Sequence, residues 1–148
     1  MAEVSEIPVP ALLRHARAAY GSAMQRALEK AGFDDVPRNG MYIIGGMALG
    51  AGDIPLGQLV RDLRISKQAA GQLVDTLVGR GYLERAVDPE DRRRLTVTLT
   101  ERGKAAASVQ AVARGGVDAA LEARIGADGV ARLREGLIAL VDMVMEPT

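Results

Sequence analysis

Over most of this chain the apolar residues recur at three- and four-residue spacing, the period of an amphipathic helix. Leu13, Ala16, Tyr20, Met24, Ala27 and Leu28 set the first such run, which Pro8 and Pro10 open and Gly32 closes. A second run follows Pro37, with Met41, Ile44, Met47 and Ala48 on one side, and stops at Gly50 and Gly52. The adjacent Gly45 and Gly46 weaken it by about 1 kcal/mol each relative to Ala, so tertiary packing has to hold it. After Asp53-Ile54-Pro55 comes a short helix with Leu56, Leu59, Val60 and Leu63 apolar, then Arg64-Ile65-Ser66, then a longer helix striped by Ala70, Leu73, Val74 and Leu77 that ends near Gly79 and Gly81. Ser66 is a good N-cap for that helix, because its hydroxyl can accept from a free N–H in the first turn. Two short helices joined by three residues have the dimensions of a helix-turn-helix.

From Tyr82 the period changes. Tyr82-Leu83-Glu84-Arg85 and Leu95-Thr96-Val97-Thr98-Leu99 alternate in character and are rich in branched residues, so they read as two β-strands around a polar loop, Ala86 to Arg94. This is a β-hairpin with an extended basic tip. Thr100 then caps a helix running from Glu101 towards Ile125, with a weak point at Gly115-Gly116. A last helix occupies about Asp128 to Met145, striped by Val130, Leu133, Leu137, Leu140, Val141 and Val144. The pattern predicts a mainly α fold in a single folding unit.

Composition narrows the function more by exclusion than by suggestion. At 148 residues, 48% hydrophobic and 26% charged, the chain is an ordinary globular sequence whose core must be aliphatic, since Phe33, Tyr20, Tyr42 and Tyr82 are its only aromatics. The absence of cysteine removes disulfides and thiol chemistry, and a lone histidine, His15, argues against a histidine metal site. No stretch approaches the ~18 uninterrupted apolar residues of a membrane span, and Glu3 and Glu6 stand where a signal peptide carries Lys or Arg, so the expected location is the cytoplasm. Net charge is zero, yet residues 61–104 hold ten Lys or Arg against seven Asp or Glu. That asymmetry is modest, and the motifs must decide.

The order helix, helix, short helix, turn, helix, hairpin, helix, helix resembles the MarR (multiple antibiotic resistance regulator) family of winged helix-turn-helix transcription factors. The sharpest part is Asp88-Pro89-Glu90-Asp91-Arg92-Arg93-Arg94-Leu95-Thr96-Val97-Thr98-Leu99-Thr100-Glu101-Arg102-Gly103, which is similar to the family's wing signature: an acidic and arginine-rich tip, a strand, and Leu-Thr-x-x-Gly. Ile65-Ser66-Lys67-Gln68, Leu73 to Leu77 and Gly81-Tyr82-Leu83-Glu84-Arg85 resemble the recognition helix and its exit into the wing. The resemblance implies a DNA-binding lobe at residues 37–100 and dimerisation helices at 8–32 and 101–146.

With Ala70, Leu73, Val74 and Leu77 facing the core, helical geometry puts Lys67, Gln68, Gly71, Gln72 and Asp75 on the opposite face. In a recognition helix Gln can pair with adenine and Lys can reach guanine or phosphate, so Ser66, Lys67, Gln68, Gly71 and Gln72 are the expected major-groove surface on double-stranded DNA. Gly71 replaces the larger polar residue that the family often has, and Gln72 stands where a basic residue is frequent. Gly71 fits either a close approach to DNA or simple slack in the helix. At the wing, resemblance implies that Arg93 enters the minor groove while Asp91 holds its guanidinium, with Arg92 or Arg94 on phosphates. Arg61, Arg64 and Arg85 are further candidates for backbone contacts.

Resemblance also implies a homodimer whose terminal helices intertwine. The stripe Leu133, Leu137, Leu140 and Val144 fits that interface, and it equally fits the chain's own core. Many relatives bind a small aromatic or phenolic effector beside the dimer helices. His15, Tyr20, Met24, Met41 and Tyr42, together with Met47, fit such a pocket or plain core. No cofactor is expected, and the implied activity is repression that the effector relieves. The rival reading is a ligand- or protein-binding module that has kept the fold and lost DNA binding. An enzyme fits least: the serines have no histidine partner, and Asp88, Glu90 and Asp91 sit among arginines that keep carboxylates ionised.

Overall fold

The computed structural model describes residues 4–49, 56–93 and 95–145. After a 3-10 turn at Val4–Glu6 come α1 (Val9–Lys30), α2 (Arg38–Leu49), α3 (Leu56–Leu63), α4 (Lys67–Gly79), the strands β1 (Leu83–Val87) and β2 (Leu95–Leu99), and α5 (Glu101–Met145). The described residues form a mainly helical fold with one antiparallel hairpin, and the first long helix, α1, packs on the last, α5. No described helix is long and apolar enough to cross a membrane. The expected stop of α2 at Gly50 and Gly52, and Asp53-Ile54-Pro55, lie outside the described residues.

Two helices end in the same way. Past α1, Gly32 takes φ +90°, its N–H bonds the Glu29 carbonyl at 3.1 Å, and the Phe33 N–H bonds the Leu28 carbonyl at 2.8 Å. Past α4, Gly81 takes φ +84°, with Gly81 N–H on the Val78 carbonyl at 3.0 Å and Tyr82 N–H on the Leu77 carbonyl at 2.9 Å. Both are Schellman caps, which need the left-handed backbone that glycine adopts without a Cβ penalty. Each cap turns an aromatic residue back onto the core.

That core is built from Leu28, Met41, Ile43, Ile44, Met47, Leu59, Leu73, Leu77, Tyr82, Leu83, Ala106 and Ala107. It sits where α2, α4, the hairpin and the start of α5 meet. Gly45 and Gly46, which weaken α2 as an isolated helix, have a packing role: a Cβ on Gly46 would stand 2.5 Å from Leu59 Cδ2, and one on Gly45 would stand 3.2 Å from Gln110 Nε2. Close approach of neighbours offsets the helix penalty. Ala48, expected on the buried side, is exposed, and Ile43 takes a core position instead.

The hairpin pairs Leu83 with Leu99 and Val87 with Leu95, so β1 starts one residue later and runs two residues further than the alternation in the sequence suggests. Thr100 caps α5 as expected: its Oγ1 accepts from Gly103 N–H at 3.0 Å and donates to the Gly81 carbonyl at 2.5 Å. The expected weak point at Gly115-Gly116 is continuous helix. The break falls at Gly126 (φ 77°, ψ 166°), between the two helices expected to end near Ile125 and to begin near Asp128. Two adjacent glycines cost propensity without forcing a break, whereas a positive φ ends the ladder outright.

Candidate nucleic-acid interface

Helix α4 begins at a defined cap. Ser66 has extended backbone (φ −64°, ψ 158°) and its Oγ accepts from Ala69 N–H at 3.1 Å. Ala70, Leu73, Val74 and Leu77 are buried, which turns Ser66, Lys67, Gln68, Gly71, Gln72 and Asp75 outward. Gly71 has no neighbour within 4 Å of where a Cβ would stand, so a strip of bare helix backbone lies on this face between the Gln68 and Gln72 side chains. The chain enters α4 through Arg64, whose φ of +54° is unusual for a residue with a Cβ.

At the hairpin tip the acidic side chains organise the loop. Asp88 Oδ1 accepts from Glu90 N–H at 2.9 Å, and Asp91 Oδ1 accepts from Arg93 N–H at 3.1 Å. Here the Asp91 carboxylate holds the Arg93 backbone amide, and the hold on the Arg93 guanidinium implied by the resemblance is not among the hydrogen bonds of the described residues. A two-residue spacing in a turn brings an Asp side chain over the amide two positions on, which makes an Asx turn. The Arg92 and Arg93 side chains are exposed; Arg94 lies outside the described residues.

The backbone-contact candidates divide. Arg85 donates to Asp75, an ion pair that ties β1 to α4 and fixes the hairpin against the exposed helix face. Arg61 Nη2 donates to Gln58 Oε1 at 2.9 Å, and Arg64 is exposed. Asp62 accepts from Gln58 at 3.0 Å and from the Tyr42 hydroxyl at 3.2 Å, a link between α2 and α3 that sequence reading missed.

The structure also shows a cluster that no local pattern signals, since Asp35 lies 47 residues from Tyr82 and 67 from Arg102. The Tyr82 hydroxyl donates to Asp35, Arg102 Nη2 donates to Asp35 Oδ1 at 3.2 Å and to the Tyr82 oxygen at 3.0 Å, and Arg80 Nη1 donates to the Asp35 carbonyl at 2.5 Å. The Arg102 guanidinium carbon stands 4.6 Å from the centroid of the Tyr82 ring and 5.2 Å from that of Phe33. Burial, reinforced by the bond to Asp35, pushes the Tyr82 phenol up to about 12. The Tyr82 hydrogen bond and, after it, the Arg102 charge hold the Asp35 carboxyl below its ordinary value. The cluster locks the exit of α4 to the start of α5.

The dimer candidates Leu133, Leu137, Leu140 and Val144 are 43%, 37%, 40% and 69% exposed, so they do not belong to the core of their own chain. A cleft of about 720 Å³ lies between the end of α2, the hairpin and α5. Of the six effector candidates Met47 lines it, and His15, Tyr20, Met24, Met41 and Tyr42 do not. Met41 is in the core, Met24 packs against it, Tyr20 donates to Asp118 at 2.5 Å, Tyr42 is taken up by Asp62, and His15 is exposed. Helical spacing placed these residues on α1 and α2, where packing turns Tyr20 to α5, Tyr42 to α3 and Met41 into the core.

Comparison with known proteins adds the family. The model of the MarR family matches residues 35–94. A search of curated protein sequences returns no match. Among solved structures the chain is similar to the transcriptional regulator PA4135, with 22% identity, a TM-score of 0.68 and coverage of 96% of this chain and 100% of that one. It is similar to apo MarR from E. coli (24%, TM-score 0.63, 90% and 96% covered) and to MepR from S. aureus in a DNA complex (16%, TM-score 0.73, 93% and 99% covered). At these identities the likeness speaks for the fold, and the family model speaks for the segment that holds α4 and the hairpin. Residues 35–94 are thus a MarR-family winged helix-turn-helix, carried by a chain that has the fold of these transcriptional regulators over nearly its whole length.

Proposed function

We propose that this chain is a dimeric, DNA-binding transcriptional repressor, working in the cytoplasm and released from its operator by a small molecule. The observation that carries the reading is the outward face of α4, where Ser66, Lys67, Gln68, Gly71 and Gln72 stand exposed beside a hairpin fixed to the same helix by Arg85 and Asp75. Gln and Lys in that position read base edges in a major groove, and the tip of Asp91, Arg92, Arg93 and Arg94 reaches the adjacent minor groove. MepR, of the same fold, is seen bound to DNA. Arg61 and the exposed Arg64 are the candidates for phosphate contacts, and Arg85 is a weaker one because Asp75 already holds it.

One α4 and one hairpin offer little surface, so two copies related by a two-fold axis supply the rest, with residues 37–100 as the reading lobe and 8–32 and 101–146 as dimerisation helices. The exposed stripe of Leu133, Leu137, Leu140 and Val144 supports this division. The operator is then a pseudo-palindrome with half-sites about one helical turn apart. Selection from a random DNA library with the purified protein tests the reading. A recovered pseudo-palindrome, lost with Arg93→Ala, supports it. A folded dimer that enriches no sequence overturns it in favour of a sequestering module without DNA binding.

A further inference from the structure

Glycines inside the helices differ in what holds them to glycine. A Cβ on Gly40 would stand 3.0 Å from Leu77 Cδ2, and one on Gly46 would stand 2.5 Å from Leu59 Cδ2, so the packing of the chain accounts for both. Gly71 has no such account. It lies within the 13 residues of α4, where Ala is the better helix former, and its Cβ would meet nothing within 4 Å. Gly115 and Gly116 on α5 are open in the same way, so openness alone assigns nothing. What distinguishes Gly71 is the face on which it stands.

Its neighbours there are Ser66, Lys67, Gln68, Gln72 and Asp75, all polar and all exposed. Helical geometry sets Lys67 and Gln68 one turn before Gly71, Asp75 one turn after it and Gln72 alongside. The gap left by the missing side chain therefore has polar walls and a floor of bare backbone, the Gly71 methylene. Asp75 is tied to Arg85 of the hairpin, which fixes the far wall. Both glutamines suit adenine, whose N6 and N7 edge an amide pairs in bidentate fashion. Every such adenine brings a thymine, whose C5-methyl group stands in the same groove and needs an apolar neighbour. Among these outward residues Gly71 is the one that can meet it without a polar side chain.

We infer that Gly71 is a specificity-determining residue, and that the gap over it seats the C5-methyl group of one thymine in each half-site. The inference rests on the proposed reading of DNA by α4 and names a base contact within it. The methyl group leaves water against the Gly71 Cα while a flanking glutamine pairs an adenine. A Cβ at position 71 would fill the seat and hold the helix off the base edges.

Deoxyuridine, which pairs as thymidine does and lacks the methyl group, tests it. In the duplex that the wild type selects, each thymidine is replaced in turn, symmetrically in the two half-sites, and the duplexes are titrated with wild type and Gly71→Ala. One replacement is expected to weaken wild-type binding by roughly fourfold for each half-site, the worth of one buried methyl group. Gly71→Ala melts a few degrees above the wild type because α4 gains helix propensity, so weaker binding cannot come from misfolding. It binds the thymidine duplex about tenfold more weakly and no longer prefers it to the deoxyuridine duplex. Wild-type binding that is indifferent to every replacement overturns the inference, as does a Gly71→Ala variant that keeps the wild-type affinity or the preference for thymidine. A wild type that selects no duplex overturns the DNA reading itself and this inference with it.

Discussion

Phe33 and Tyr82 meet edge to face, with ring centroids 6.1 Å apart and an interplanar angle of 61°. Each is the third residue past a helix that ends in a Schellman cap, so two local backbone signals 49 residues apart in sequence deliver their aromatics to one place. Arg102, in the first turn of α5, covers both rings and bonds Asp35. Because the guanidinium stacks and donates at once, we expect Arg102→Ala to lower unfolding free energy by about 1 kcal/mol. Arg102→Lys restores only part of this, since an ammonium group cannot stack in the same way. Urea midpoints of the two variants check it.

The same cluster sets a pH dependence at both extremes. The Asp35 carboxyl titrates lower in the folded chain than in the unfolded one, so its contribution is present above the ordinary carboxylate value and is lost as pH falls through the depressed one. The Tyr82 phenol titrates higher when folded, at about 12, so its contribution is present below the ordinary value and is lost as pH rises towards that figure. Asp35→Asn is expected to flatten the acid limb of the stability profile, and Tyr82→Phe the alkaline one. Denaturation measured across pH, variant against wild type, reads both.

Glycines of α5 divide by what surrounds them. A Cβ on Gly103 would stand 2.2 Å from the Tyr82 carbonyl oxygen and 2.9 Å from Leu99 Cδ2, so the first turn of α5 would have to leave the hairpin. Gly103→Ala is expected to cost about 3 kcal/mol or more. Gly115 and Gly116 have nothing within 4 Å of a Cβ, so Ala at either gains about 1 kcal/mol of helix propensity. Melting temperatures should move in opposite directions.

Arg64 holds a left-handed backbone in the turn before α4. Glycine takes this conformation without the cost of about 1 kcal/mol that a Cβ imposes. Arg64→Gly should therefore leave the protein as stable or slightly more so while removing one positive charge from the turn. If Arg64 meets a phosphate, DNA affinity falls as stability holds, and the salt dependence becomes shallower by about one ion. Unchanged affinity removes Arg64 from the interface.

Elements and exposed faces were legible in the sequence because their signals are local. The stripe Ala70, Leu73, Val74, Leu77 fixed which side of α4 faces out, Ser66 and Thr100 marked helix starts, and Gly32 and Gly81 marked helix ends. The arginine-rich tip and Leu-Thr-x-x-Gly pointed to the wing. The misses are all tertiary. No local pattern links Asp35 to Arg102, or Gln110 to Gly45. The value of Gly46 to α2 emerges only when Leu59 is packed against it. The break in α5 falls at Gly126, between the helices expected to end near Ile125 and to start near Asp128, whereas Gly115-Gly116 stays helical because two adjacent glycines lower propensity without imposing a positive φ. Five of the six effector candidates lie away from the cleft beside α5 for a similar reason: periodicity gives a face, and only packing gives the neighbour.

The central claim is that the outward face of α4 and the hairpin tip read DNA together. The most direct test is titration of the selected duplex with wild type, Gln68→Ala and Arg93→Ala at two salt concentrations. The account predicts that wild-type affinity falls steeply with salt, that Arg93→Ala weakens binding and reduces the salt slope by about one, and that Gln68→Ala relaxes base preference at one position per half-site with the slope unchanged. Wild-type affinity, base preference and salt slope retained in both variants would contradict it.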